Sequence, residues 1–125
     1  MFKIADSQWI ILMFVCCLFT AGHAEISEKE LYLTPGGKYS QKDIIANGEM
    51  TRSQKFASFK ASHNPNPKTG EKICPVTLTK ANSECTWVVD GKDYQFCCPI
   101  CIDEFLLLAK EHPDQIKDPE FYIAK

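Results

Sequence analysis

A group of thiols constrains this chain more than anything else in it. Cys97-Cys98-Pro99-Ile100-Cys101 closes a stretch of hairpin character and opens one of helical character, and Cys74-Pro75-Val76-Thr77 lies upstream. The hairpin is read from Thr86 to Phe96, because Asp90-Gly91 suits a two-residue type I′ turn. Such a turn pairs Val89 with Lys92, Trp87 with Tyr94 and Cys85 with Phe96. Trp87 and Tyr94 then form an aromatic cross-strand pair, with Cys85 on their face and Cys97 on the other. After Cys98 the pattern is helical. Pro99 fits a first helical position, where its missing N–H costs nothing. Ile102, Phe105, Leu106 and Ala109 share one face as far as Glu111, and His112-Pro113 ends the helix.

This order places a turn bearing Cys74, a hairpin, and then cysteines at a helix start. It predicts a small α+β fold, a treble-clef or zinc-ribbon-like module, preceded by a partly helical N-terminal arm. Cys97 and Cys101, or Cys98 and Cys101, fall on one side of a helix axis. The helix N-terminus is expected to favour thiolate, the form that binds metal. A structural Zn²⁺ site takes four ligands. Cys74, Cys97 and Cys101 are three; for the fourth, Cys98 ranks ahead of Cys85 and then His63, with water or a partner's side chain as the remaining choices. A three-thiolate site with an open position suits Cu(I) or an ion in transit better than structural Zn²⁺.

The rest of the chain sets the context. Lys3 precedes an apolar run, Trp9–Phe19, and small residues end at Ala24. At about 1.5 Å per residue that run is too short for a bilayer core of about 30 Å. Residues 1–24 therefore read as a secretory signal peptide cleaved after Ala24, which places the mature chain outside the cytoplasm, in a periplasm or beyond. Lys3 and Asp6 are the charged residues of that segment, so the 14 Lys+Arg and 16 Asp+Glu of the whole chain leave the remainder near neutral. No basic block is present to neutralise phosphates, which argues against a nucleic-acid partner. Any membrane contact is expected through the signal segment alone. Five of the 7 cysteines lie beyond it, an odd number that cannot pair completely in one chain.

Residues 25–70 read as an arm and linker. Leu31-Tyr32-Leu33 is an apolar cluster in a polar lead-in, and Thr34-Pro35-Gly36-Gly37 breaks the chain after it. Ser40-Gln41-Lys42-Asp43 resembles a capping box, which predicts a short helix over Gln41–Asn47 stopped by Asn47-Gly48. Phe56 and Phe59 are spaced as two anchors, and Asn64-Pro-Asn-Pro-Lys-Thr-Gly70 is turn material. Residues 71–125 form the cysteine-bearing module.

The spacing Cys74-x22-Cys97-x3-Cys101 resembles that of TRASH domains. Gly91-Lys92-x-Tyr94-x-Phe96-Cys97-Cys98-x-x-Cys101-x-x-x-Phe105 is similar to the related YHS domains, and the Cys-Pro-Val-Thr opening and Asp118-Pro119-Glu120-x-Tyr122 ending look like small exported bacterial proteins of that group. The resemblance implies a module that binds zinc, copper or another heavy metal in trafficking, resistance or sensing, with an envelope metal-handling protein as its exchange partner. Two departures stand out. Thr77 occupies the place where a zinc ribbon often has a second knuckle cysteine, and Leu106–Lys117 is longer than in compact YHS domains. No hydrolytic or phosphate-binding constellation is visible, so no enzyme is expected. The competing readings are a zinc- or disulfide-stapled interaction module, docking through Ile44, Phe56 and Phe59, and a thiol–disulfide protein using Cys98-Pro-Ile-Cys101.

Overall fold

A computed structural model describes residues 26–125; the signal peptide read over residues 1–24 lies outside them. The chain folds as a small α+β structure around one antiparallel hairpin. Strand β1 (Asn82–Val89) and strand β2 (Lys92–Phe96) meet at Asp90-Gly91, whose φ values of 56° and 71° have the positive sign a type I′ turn requires. The register is Val89 with Lys92, Trp87 with Tyr94 and Thr86 with Gln95, as the turn dictates. It then slips. Phe96 pairs with Asn82 and not with Cys85, because Ser83–Cys85 form an irregularity in β1. Local polar groups hold it: the Glu84 N–H donates to Asn82 Oδ1 at 2.9 Å, and Thr86 Oγ1 donates to the Ser83 carbonyl at 3.0 Å.

A long helix (Pro99–Glu111) packs on the hairpin and supplies the other half of the core. Its buried face is Cys101, Ile102, Phe105, Leu106 and Ala109. Phe105 lies edge-on to Phe96 with ring centroids 5.3 Å apart and meets Tyr94 at 4.7 Å. Trp87 and Tyr94 oppose each other in the ladder but send their rings to different neighbours. Trp87 meets Tyr32 edge-on at 5.1 Å, while Tyr94 packs on Phe105 and Tyr122.

Tyr32 belongs to a helix preceding the hairpin, Glu28–Leu33, where composition suggested only a lead-in. Ser27 caps it, its hydroxyl accepting from the Glu30 N–H at 3.2 Å; Ser27-x-x-Glu30 is the sequence signature of such a start. Numbering in chain order, this helix is α1, Gln41–Ala46 is α2, Arg52–Lys55 is α3 and Pro99–Glu111 is α4. Helix α2 has the full Ser40/Asp43 capping box, and α3 has a second one from Thr51 and Gln54. Two 3₁₀ turns, Pro113–Gln115 and Pro119–Phe121, follow α4.

Residues 25–70 divide from the module by composition, yet they do not stand apart in packing. Leu31, Tyr32, Tyr39 and Ile44 share one buried cluster with Trp87, Phe96, Phe105 and the cysteines, and Phe56 and Phe59 pack against it. Of the face formed by Ile44, Phe56 and Phe59, Ile44 is buried and the two phenylalanines are half-buried against the core. Polar bonds reinforce this. Tyr32 Oη donates to Asp103, and Arg52 Nε bonds both oxygens of the same carboxylate at 2.8 and 2.9 Å. Lys110 on α4 donates to the Glu30 and Leu31 carbonyls at the end of α1. The Gly36-Gly37 turn passes so close to α4 that a Cβ on Gly37 would lie 2.1 Å from the Ala109 carbonyl oxygen; with φ of 54° as well, only glycine fits.

Candidate metal centre

Two separate segments bring the thiols together, and a third braces them. Cys74 opens a tight loop: its N–H donates to the Thr79 carbonyl and its carbonyl accepts from Leu78, both at 2.8 Å, while Ile73 bridges to Lys80. The C-terminal segment lies alongside this loop, with the Ile73 N–H donating to the Tyr122 carbonyl at 3.0 Å. Beyond Phe96 the chain bends out of β2, so Phe96, Cys97 and Cys98 are buried in succession before α4 starts. Cys98 is the N-cap of α4 and Pro99 its first residue, as the Pro rule requires. Cys101 follows on the buried face.

All five cysteines in the described residues are free, buried thiols. The sulfurs of Cys74, Cys97 and Cys101 lie within 4.8 Å of one another. Cys97 and Cys98 are 3.9 Å from each other, and each is 3.5 Å from Cys101. Cys74 and Cys98 thus each complete a triangle on the Cys97–Cys101 edge. These spacings suit metal coordination. Sulfurs at about 2.3 Å from a tetrahedral Zn²⁺ stand about 3.8 Å apart, whereas a disulfide needs about 2.05 Å. The cluster can hold a metal ion.

Cys85, a weaker candidate for fourth ligand, joins neither set. It is fully buried beside Trp87, and burial pushes its thiol up to about 12, with neighbouring Cys98, Cys74 and Cys97 adding to the shift. His63 is exposed, yet its ring nitrogen lies within 4.8 Å of the Cys97 and Cys98 sulfurs. Thr77, noted in the sequence as a departure from a two-cysteine knuckle, also reaches the cluster. Its Oγ1 sits 3.3 Å from Cys97 Sγ, in the place where a two-cysteine knuckle would bring a second sulfur. The Cys74-Pro-Val-Thr77 spacing already marked that position.

Burial raises the Cys101 thiol pKa, and hydrogen bonding with Cys98 and Cys97 raises it further. Both effects oppose the thiolate at this sulfur, so metal binding there is coupled to release of its proton.

The Cys74 loop stores strain at Leu78, which has a φ of 61° and a side chain 59% exposed. Replacing Leu78 with Gly removes a left-handed penalty while giving up little burial. Leu78→Gly is expected to stabilise the protein by roughly 0.5–1 kcal/mol, read as a higher urea midpoint; an unchanged or lower midpoint contradicts it. No protein-family, curated-protein or solved-structure comparison returns a match for this chain.

Proposed function

We propose that this chain is a metal-ion-binding protein that takes a thiophilic ion, Zn²⁺ or Cu(I), on Cys74, Cys97 and Cys101, with Cys98 beside them. One observation carries this: the Cys74 loop and the helix start bearing Cys97 and Cys101, with the whole hairpin between them in sequence, converge to set those sulfurs within 4.8 Å of one another. Soft thiolates select such ions over Mg²⁺ or Ca²⁺. The order of cysteine turn, hairpin and cysteine-bearing helix start supports a treble-clef-like arrangement of the site. The apolar run and small residues before Glu25 support export, and with it a role in metal trafficking, resistance or sensing outside the cytoplasm.

A carrier or sensor role is favoured over a purely structural ion by the extent of the core. Tyr32, Trp87, Ile102, Phe105 and Leu106 are fully buried, an apolar core drawn from α1, β1 and α4. A small zinc finger, by contrast, unfolds on chelation.

Native and denaturing mass spectrometry of the protein beginning at Glu25, with thiol counting, tests the assignment. The expected result is one metal ion per chain, lost on denaturation, with all five thiols titratable. Chelation is expected to leave the far-ultraviolet circular dichroism largely unchanged. Disulfide-bonded chains that carry no metal would rule the assignment out.

A further inference from the structure

His63 is the one described histidine whose ring approaches the thiols, and it does so from the solvent side. Burial changes across the cluster. Cys74 and Cys97 are 0% exposed, Cys101 5% and Cys98 8%, while His63 is exposed. The histidine is also held in place. The next residue, Asn64, accepts a hydrogen bond at its carbonyl from the Lys80 N–H at 2.9 Å, and Lys80 bridges to Ile73, the neighbour of Cys74. Upstream, Phe59 packs on the core. His63 is therefore tied by backbone bonds to the loop that presents Cys74. Its ligand nitrogen and the sulfurs of Cys97 and Cys98 lie within 4.8 Å of one another, as do the sulfurs of Cys74, Cys97 and Cys101. The two sets have Cys97 in common.

We propose that His63, Cys98 and Cys97 form a second, solvent-facing metal station through which an ion enters and leaves the buried station of Cys74, Cys97 and Cys101. This presupposes the metal binding proposed for the buried set. Movement between stations is ligand exchange with no change in oxidation state. Bonds from the ion to the His63 nitrogen and the Cys98 sulfur break as bonds to the Cys74 and Cys101 sulfurs form. The bond to Cys97 persists throughout. Protons released by Cys74 and Cys101 are balanced by one taken up at Cys98 and one at the His63 imidazole, or pass to water. An ion that keeps one thiolate bond never crosses the protein interior as a bare charge, which would be costly.

Zn²⁺ is the probe for the rates and Co²⁺ for the ligand set. The full mature chain is compared with His63→Ala, His63→Gln and, as a control, His112→Ala at the far end of α4. Both His63 variants are expected to slow Zn²⁺ uptake and its transfer to a chromophoric chelator by at least about tenfold. Zn²⁺ affinity should stay within about threefold of wild type, and the thiolate-to-Co²⁺ absorption should be unchanged, because the resting ion sits among cysteines. His112→Ala should exchange like wild type. Unchanged exchange rates in the His63 variants overturn the second station while leaving the buried site standing. A large loss of affinity with faster release also overturns it, since His63 would then be a resting ligand. Failure of the wild-type chain to bind any Zn²⁺ or Co²⁺ overturns both, and is visible before any variant is compared.

Discussion

Cys97→Ser should reduce affinity for a thiophilic ion by more than about 100-fold, beyond the 10–100-fold typical of losing a supporting hydrogen bond around a metal. Cys97 Sγ belongs to both ligand sets, and it lies 3.5 Å from Cys101 and 3.9 Å from Cys98. A serine hydroxyl in its place is a hard, neutral donor that a soft ion binds poorly. The loss should exceed that of Cys98→Ser, which leaves the buried set intact. Cys85→Ser should not change metal stoichiometry, because that sulfur joins neither set; its effect belongs to packing. Folding is separable from binding. The Thr77 hydroxyl, 3.3 Å from Cys97 Sγ, offers a hydrogen-bond partner to the new serine, so the metal-free variant should keep its circular dichroism and unfold within about 2 kcal/mol of wild type. Calorimetric titration of the cysteine series with Zn²⁺ measures the ranking. Equal losses in the Cys97 and Cys85 variants would show that the sulfur geometry does not govern binding.

Local chemistry explains which parts of this structure could be read from sequence. The Ser40/Asp43 box, the Asp90-Gly91 turn and Pro99 each act over a few residues, and the elements they predict are present at nearly those bounds. The same range limits what could be read. The irregularity at Ser83–Cys85 depends on Asn82 and Thr86 side chains competing with the ladder for backbone groups, a contest that strict alternation ignores. The grouping of Cys97 with Cys101 was legible in their helix-start spacing and Cys74 in its Cys-Pro turn and family-like spacing; that the three sulfurs come within 4.8 Å of one another belongs to the tertiary fold. His63 was harder, because its approach depends on a backbone bond from Lys80 to Asn64 across a Pro-rich turn. Depth was invisible too. A helix start announces its dipole in sequence, but not that Cys101 would be buried and its thiol pushed up by desolvation.

Asp43→Ala should lower stability by about 2–4 kcal/mol, although nothing in composition marks this residue as more than a cap. Its carboxylate is 1% exposed and joins two parts of the fold. Oδ2 accepts from the Ser40 N–H at 2.9 Å and from the Asp90 N–H at 2.8 Å, and Oδ1 accepts from the Gly91 N–H at 2.9 Å. One side chain thus caps α2 and holds the hairpin turn. Losing a cap costs about 1 kcal/mol, and each backbone N–H left without its partner costs about 1–3 kcal/mol, less where water can reach it. Asp90 and Gly91 are exposed, which keeps the total toward the middle of the range. Asn47, at the end of α2, bonds both the N–H and the carbonyl of Val88 at 2.8 and 2.9 Å, so α2 should remain near β1 and the variant should fold. Asp43→Asn should recover only part of the loss, since its amide presents N–H groups where the turn also presents N–H groups. Urea unfolding gives the size of the effect, and hydrogen exchange at the Asp90 and Gly91 amides gives its place. The thiols lie beyond the opposite end of β2 from this turn, so Zn²⁺ affinity should survive in the folded variant. A loss below about 1 kcal/mol would mean that water replaces the carboxylate at the turn, and that Asn47 and the packing of Tyr32, Tyr39 and Phe56 around Trp87 suffice to hold the hairpin to the N-terminal region.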